Sequence, residues 1–141
     1  MGVCHIAGAG TALAHGKRRA AAEGVGNIIF AGLVPRTELP NVLDAFDVGL
    51  CIYEKTPMDD ARSPMRLIAY SALGLPTVAT NIEEIKRLDF PNVVTVEPNG
   101  GSIANGIREA AQMRRQRPST IKDFDVEYLA QRYEEVLSGN V

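Results

Sequence analysis

No apolar run in the 141-residue sequence approaches the roughly 18 residues that a bilayer-spanning helix needs. The N-terminus carries no signal-peptide pattern. Charge of one sign is not in excess, since the net charge is −2 with 23% charged residues. Nothing in that balance favours nucleic acid or an anionic membrane as the main partner. Cysteine is scarce. Cys4 and Cys51 both fall in apolar runs, where strand-buried free thiols suit a reducing cytoplasm. One disulfide between them stays open, but two cysteines make no disulfide framework. Internal repeats and low-complexity linkers are absent. Acidic residues are missing from Val3 to Gly10, which excludes the acidic first-strand cluster of a receiver domain.

What is present is an alternation. The length suits one domain with a proper core, and 45% of the residues are hydrophobic. Short apolar runs that end near Gly or Pro predict strands near 3–8, 27–31, 47–52, 76–79 and 92–96. Amphipathic stretches predict helices near 12–23, 37–45, 64–73, 82–88, 102–115 and 126–137. Val48-Gly49-Leu50-Cys51-Ile52 is continuously apolar, as a strand covered on both faces would be. Alternating strands and helices imply βαβ units and a parallel sheet. The predicted class is therefore α/β, a three-layer Rossmann-like parallel sheet of five strands flanked by helices. The chain opens almost directly into its first strand pattern, as expected of a piece of something longer.

The most informative stretch is Arg62-Ser63-Pro64-Met65-Arg66-Leu67-Ile68-Ala69-Tyr70-Ser71-Ala72-Leu73-Gly74-Leu75-Pro76. Ser63 reads as the N-cap and Pro64 as the first helical residue. Gly74 supplies a left-handed residue after the helix, and Pro76 stops continuation. Met65, Ile68, Ala69 and Ala72 share an apolar face. The charges run against this design. Arg62 and Arg66 flank a helix N-terminus that already carries partial positive charge, at a cost of a few tenths to about 1 kcal/mol each. An anion seated between backbone N–H groups and the two guanidiniums would resolve the conflict, and a diphosphate fits the bidentate fork of arginine. Surface pairing of these arginines with Asp59 and Asp60 is the competing explanation.

From Ser63 to Thr80 the residues resemble the donor-site segment of GT-B glycosyltransferases of the family-4 type. That segment commonly reads Ser-Pro-x-Lys-Leu-x-Glu-Tyr-x-Ala-x-Gly-x-Pro-Val-Val-Ala-Thr. The rest of the chain agrees in order: Ile6-Ala7-Gly8-Ala9-Gly10 is similar to the family's strand and glycine turn, and Asn27 to Pro35 to its next strand and loop. Glu38-Leu39-Pro40 through Asp47-Val48-Gly49-Leu50 is similar to the helix and strand that follow, and Phe124 to Leu137 to the closing helix.

The resemblance implies the nucleotide-sugar-binding half of a hexosyltransferase-like enzyme. It implies a UDP- or GDP-sugar donor and a saccharide or lipid-linked acceptor, as in polysaccharide biosynthesis. It places Gly8, Gly10, Val34, Arg36, Arg62, Ser63 and Pro64 at the donor, with Val34 and Arg36 near the base. Arg66 stands where the family has Lys, as the catalytic cation on the leaving diphosphate. No metal and no separate cofactor are implied. The whole of 1–141 is expected to be one donor-binding domain of a two-domain enzyme whose acceptor domain lies elsewhere. A cytoplasmic location is expected, peripheral at the inner face of the membrane in the full-length enzyme.

Two departures accompany the resemblance. The Glu that grips the ribose in the family is Ala69 here, and its upstream partner acid falls at Ala61. Glu54 or Asp60 would have to replace them. A poorly active or inactive isolated chain is then expected, and the alternative is a degenerate, non-catalytic nucleotide-binding module that pairs with a partner chain. The family's first strand is also absent. Removing it from the order 3-2-1-4-5-6 leaves 3-2-4-5-6, and closure of the gap would give a flavodoxin-like 2-1-3-4-5 sheet.

Other motifs have plainer readings. Gly8-Ala9-Gly10 lacks the third small residue of a dinucleotide fingerprint, because Leu13 stands there. Asp125 of Asp123-Phe124-Asp125 is placed to cap a helix. Asn99-Gly100-Gly101 reads as a turn before a helix opened by Ser102. His5 and His15 lack a second ligand at useful spacing. Arg114 to Pro118 reads as a basic helix end.

Overall fold

The computed structural model describes residues 2–138. It is an α/β protein with parallel strands, as the alternation predicts, and it divides into two compact units, residues 1–42 and 43–141.

In the first unit, β1 (Cys4–Ala7) pairs in parallel with β2 (Ile28–Gly32). The crossover is α1 (Leu13–Ala22). Lys17 lies 5.7 Å from the Phe30 ring centre, which ties α1 to β2. Among the described residues of this unit none is buried, and Leu33 is 76% exposed. Two strands and one helix give no enclosed core, which three or more strands normally provide. A short helix, α2 (Leu39–Asp44), runs across the unit boundary.

The second unit is built on β3 (Gly49–Cys51), β4 (Thr77–Thr80) and β5 (Val93–Val96), all parallel in the order β3-β4-β5. Every residue of β4 is buried, as a central strand covered on both faces must be. The period-two alternation sorts the side chains into two layers. Cys51 and Ala79 face one layer with Leu67, Ile82, Ile85 and Phe90. Leu50, Val78, Val94 and Val96 face the other with Ile103, Ile107 and Ala110. On the first side lie α4 (Met65–Ala72), α5 (Glu83–Leu88) and a 3₁₀ turn, Ser119–Phe124. On the second lies α6 (Gly100–Ala110). A Cβ on Gly106 would sit 2.6 Å from Val96 Cγ1, so only glycine lets α6 come this close to the sheet.

Local chemistry sets the ends of the elements. Gly74 adopts φ +65°, the left-handed residue expected after α4. Asp125 caps α7 (Val126–Leu137), its Oδ1 accepting from Glu127 N at 2.9 Å, as the sequence predicts. Asn92 is buried and ties α4 to β5: its Nδ2 donates to Ser71 Oγ at 3.1 Å and to the Leu75 carbonyl at 2.8 Å.

The structure corrects four expectations. The strands form two sheets, so the continuous order 2-1-3-4-5 is not made. Each block instead keeps the neighbours it has in the six-strand order with its first strand removed. Arg114 to Arg117 do not end α6, which stops at Ala110. Arg115 is used elsewhere, donating to Asp44 Oδ1 at 2.7 Å and to the Asp44 and Phe46 carbonyls at 2.6 and 2.8 Å. Ser102 does not open α6, because Asn99 is the N-cap and its Oδ1 accepts from Ser102 N at 2.9 Å. Cys4 is only half-buried where a buried strand thiol is expected, although both cysteines are free as that reading has it.

Candidate functional site

The site residues of the second unit gather at the start of α4. That helix is eight residues long, and the residue at its N-cap position is Pro64, with φ −83° and ψ 69° and no side-chain cap. The expected Ser63 cap is not formed. The Ser63 carbonyl accepts from Met65 N at 3.0 Å in a tight turn, and its hydroxyl lies 4.0 Å from the Met65 sulfur. Pro64 therefore precedes the helix rather than opening it. Its ring is buried while Ser63, Met65 and Arg66 are exposed.

Arg62 and Arg66 share one partner, the Tyr53 ring. Their guanidinium carbons lie 5.5 and 5.1 Å from the centre of one ring, that of Tyr53. The Tyr53 hydroxyl and the Cys51 thiol both lie near enough to Arg66 to feel its charge. Tyr53 reaches this place because it continues the alternation of β3, two residues beyond Cys51 and on the same face. Its backbone is clamped by Thr80 at the end of β4. Tyr53 N donates to Thr80 Oγ1 at 2.9 Å, and Thr80 Oγ1 donates to the Tyr53 carbonyl at 2.9 Å.

The two arginines are not equivalent. Arg62 lies 3.3 Å from Asp59, a buried carboxylate on a short helix, α3 (Pro57–Asp60). Asp59 is held in turn by Thr56, whose hydroxyl donates to Asp59 Oδ2 at 2.7 Å and accepts from Asp59 N at 3.2 Å. Surface pairing thus explains half of the expected conflict. Asp60 takes no part in it, since its Oδ1 lies 3.4 Å from Glu83 N. Arg66 is met by a tyrosine rather than a carboxylate. Arg62, Arg66 and Asp59 together leave one positive charge in excess beside a helix N-terminus, whose dipole adds to it.

Burial sets the acid–base character here. It pushes the Cys51 thiol up, against the opposing pull of the Tyr53 hydroxyl, the Arg66 charge and the Leu67 N–H. It also pushes up the Tyr53 and Tyr70 hydroxyls. For Arg66, burial works against the charge, but the neighbouring Tyr53, Cys51 and Tyr70 side chains outweigh it. All four groups keep their ordinary neutral-pH states, so Arg66 is a fixed cation among neutral hydroxyl and thiol groups.

The remaining expected site residues belong to the first unit. Gly8 adopts φ +142°, open to glycine alone, and its N–H donates to the Gly32 carbonyl at 2.7 Å. The Gly10 carbonyl accepts from Leu13 N at 3.0 Å as α1 begins. Val34 is half-buried and Arg36 exposed. Ala69 is half-buried on α4, and Ala61 and Glu54 are exposed. Among the described residues no group of three His, Cys, Asp or Glu side chains could hold a metal ion, and no helix is long and apolar enough to cross a membrane. A cleft of about 350 Å³ runs along Ile68 and Ala72 on the later turns of α4, bounded by Ile121, Phe124 and Tyr128, away from the two arginines.

Asp59 was singled out by sequence as a partner for the arginines, while Tyr53 and the role of Thr80 were not. Asp59 had a signal: Thr56-Pro57 followed by Asp59 is an N-cap, a first-turn proline and an acid, which together mark α3. Tyr53 and Thr80 had none, because their pairing joins residues 27 apart in the chain.

The family profile described as "Glycosyl transferases group 1" matches residues 3–113. A curated relative, named "Putative teichuronic acid biosynthesis glycosyltransferase TuaH" from Bacillus subtilis (strain 168), is 30% identical over 67 residues. That stretch is 48% of this chain and only 17% of the relative. No solved structure matches the chain. The match covers both units, including the α4 segment with its two arginines, and the chain belongs to the group 1 glycosyltransferases.

Proposed function

We propose that the second unit binds the diphosphate of a nucleotide-sugar donor at the start of α4, with Arg62 and Arg66 on its oxygens. In transfer, the bond from the acceptor oxygen to the anomeric carbon would form while the bond from that carbon to the phosphate oxygen breaks. The electron pair leaves with the diphosphate, and the proton of the acceptor hydroxyl passes to a base of the acceptor domain or to the departing phosphate oxygen. Negative charge grows on the leaving phosphate, and fixed cations near it lower the barrier most. The observation that carries the reading is the gathering of two guanidiniums on the Tyr53 ring, with a carboxylate for only one of them. Gly8, Gly10, Val34 and Arg36 are proposed donor contacts on the family resemblance alone, as are the Ser63 and Pro64 backbones.

The acceptor is a saccharide or a lipid-linked saccharide, held by a domain outside these residues. The curated relative is named for teichuronic acid biosynthesis, which is in keeping with a saccharide acceptor. A cytoplasmic site of action, at the inner face of the membrane in the full-length enzyme, suits two unpaired thiols. A second reading, a non-catalytic nucleotide-binding module, is favoured by Ala69 and Ala61 in place of carboxylates.

Calorimetric titration with UDP, GDP and ADP tests the site. Saturable binding of one of them, lost in Arg62→Ala/Arg66→Ala, is the expected result. Binding that persists in the double variant would move the site elsewhere. Donor binding with no transfer from the full-length enzyme would favour the non-catalytic module.

A further inference from the structure

We infer that Tyr53 is a positioning residue, which holds Arg62 and Arg66 against one ring so that they meet two adjacent phosphates rather than one. The inference deepens the proposed diphosphate site and rests on it. It begins with what the two cations would do without the ring. Both are long, flexible and like-charged, so solvent would draw them apart. The ring opposes this by attracting each guanidinium to its π-electrons at 5.5 and 5.1 Å. Gathering is useful only if the ring itself cannot move. Its backbone N–H and carbonyl are both fixed at 2.9 Å by Thr80, a residue with no exposed surface.

The arginines therefore need not be collected when a ligand arrives, and preorganisation of this kind raises affinity without a new contact. The benefit falls on ligands that span both cations. A single phosphate can engage either arginine separately and gains little from their pairing. Tyr53 consequently sets a preference between two phosphates and one, without touching the ligand.

Inorganic pyrophosphate and inorganic phosphate are the probes, because they carry neither base nor ribose. Calorimetry on the wild-type chain, Tyr53→Phe and Tyr53→Leu gives three affinity ratios. The wild type is expected to prefer pyrophosphate. Tyr53→Leu, which loses ring and hydroxyl, is expected to lose about tenfold in pyrophosphate affinity, equal to about 1.4 kcal/mol, with phosphate affinity nearly unchanged. Tyr53→Phe keeps the ring and is expected to restore most of the preference, which a merely structural defect would not allow. An unchanged ratio in Tyr53→Leu, an equal loss for both probes, or a wild type that does not bind pyrophosphate would each overturn the inference. Pyrophosphate binding with the expected ratios but no binding of UDP, GDP or ADP would sink the nucleotide-donor reading alone.

Discussion

Thr80→Val isolates the clamp beneath the candidate site. The substitution keeps the shape and β-branching of a fully buried side chain and removes one hydroxyl. That hydroxyl makes two hydrogen bonds, one from Tyr53 N and one to the Tyr53 carbonyl, both at 2.9 Å. Each is worth about 1 kcal/mol net, and a partner left unsatisfied costs more. Tyr53 is only half-buried, so water can reach the freed groups and the lower end of that range applies. The expected loss is about 2 kcal/mol, from two bonds at about 1 kcal/mol each. Urea unfolding followed by tyrosine fluorescence is the assay. The chain has no tryptophan, and Tyr53, Tyr70, Tyr128 and Tyr133 all lie in the second unit, so the signal reports on that unit alone. With a slope of about 2 kcal/mol per M, the midpoint should fall by about 1 M with the slope unchanged. Pyrophosphate affinity should fall with it, because the ring is no longer anchored. A stability loss below about 0.5 kcal/mol would refute the two-bond clamp. An unchanged pyrophosphate affinity at reduced stability would show that the clamp does not serve the site.

Gly106→Ala gains about 1 kcal/mol of helix propensity but brings a Cβ to 2.6 Å from Val96 Cγ1 and 3.0 Å from Val78 Cγ1. Overpacking of about 1–3 kcal/mol should win, lowering the thermal midpoint; a raised midpoint would contradict the close approach of α6 to the sheet. Thiol labelling of the native chain should modify Cys4 readily and leave Cys51 protected until unfolding, since Cys51 has no exposed surface. Two equally reactive thiols would contradict that burial. Stability should fall at alkaline pH. Cys51, Tyr53 and Tyr70 are all raised by burial, so the unfolded chain ionises first. Their contribution is complete below the ordinary thiol value of about 8.5 and is lost as pH rises through the thiol and then the tyrosine range. Urea midpoints measured from neutral to strongly alkaline pH should trace that decline, and a flat profile would count against it.

Legibility in the sequence followed the range of the interaction. The C-terminal end of α4 was readable because Gly74 and Pro76 act on their own backbone, and Gly74 does take φ +65°. The cap of α7 was readable for the same reason, since Asp125 bonds Glu127 N two residues on. The start of α4 misled. Ser63 has the chemistry of a cap, but Pro64 takes a non-helical ψ of 69°, which turns the Ser63 hydroxyl toward Met65 instead. Asn99 and Ser102 were both seen, but their roles were exchanged, because either can cap and only the chain's path decides. The even division of the sequence into strands gave no sign that the ladder is interrupted between β1 and β3, since pairing depends on neighbours and not on composition. At the site, the two arginines stood out as charges in the wrong place. The ring that joins them did not, because nothing in Cys51-Ile52-Tyr53 tells a tyrosine that packs from one that organises cations.

The central claim is that a nucleotide diphosphate sits at the start of α4, and amide chemical-shift mapping tests it most directly. Titration of the ¹⁵N-labelled chain with the nucleotide that binds best should shift the amides of Arg66 and Leu67 and the side-chain Nε of Arg62 and Arg66. The amides of α6 and α7 should stay still. Shifts confined to other elements, with the Arg62 and Arg66 signals unmoved at saturation, would contradict the account.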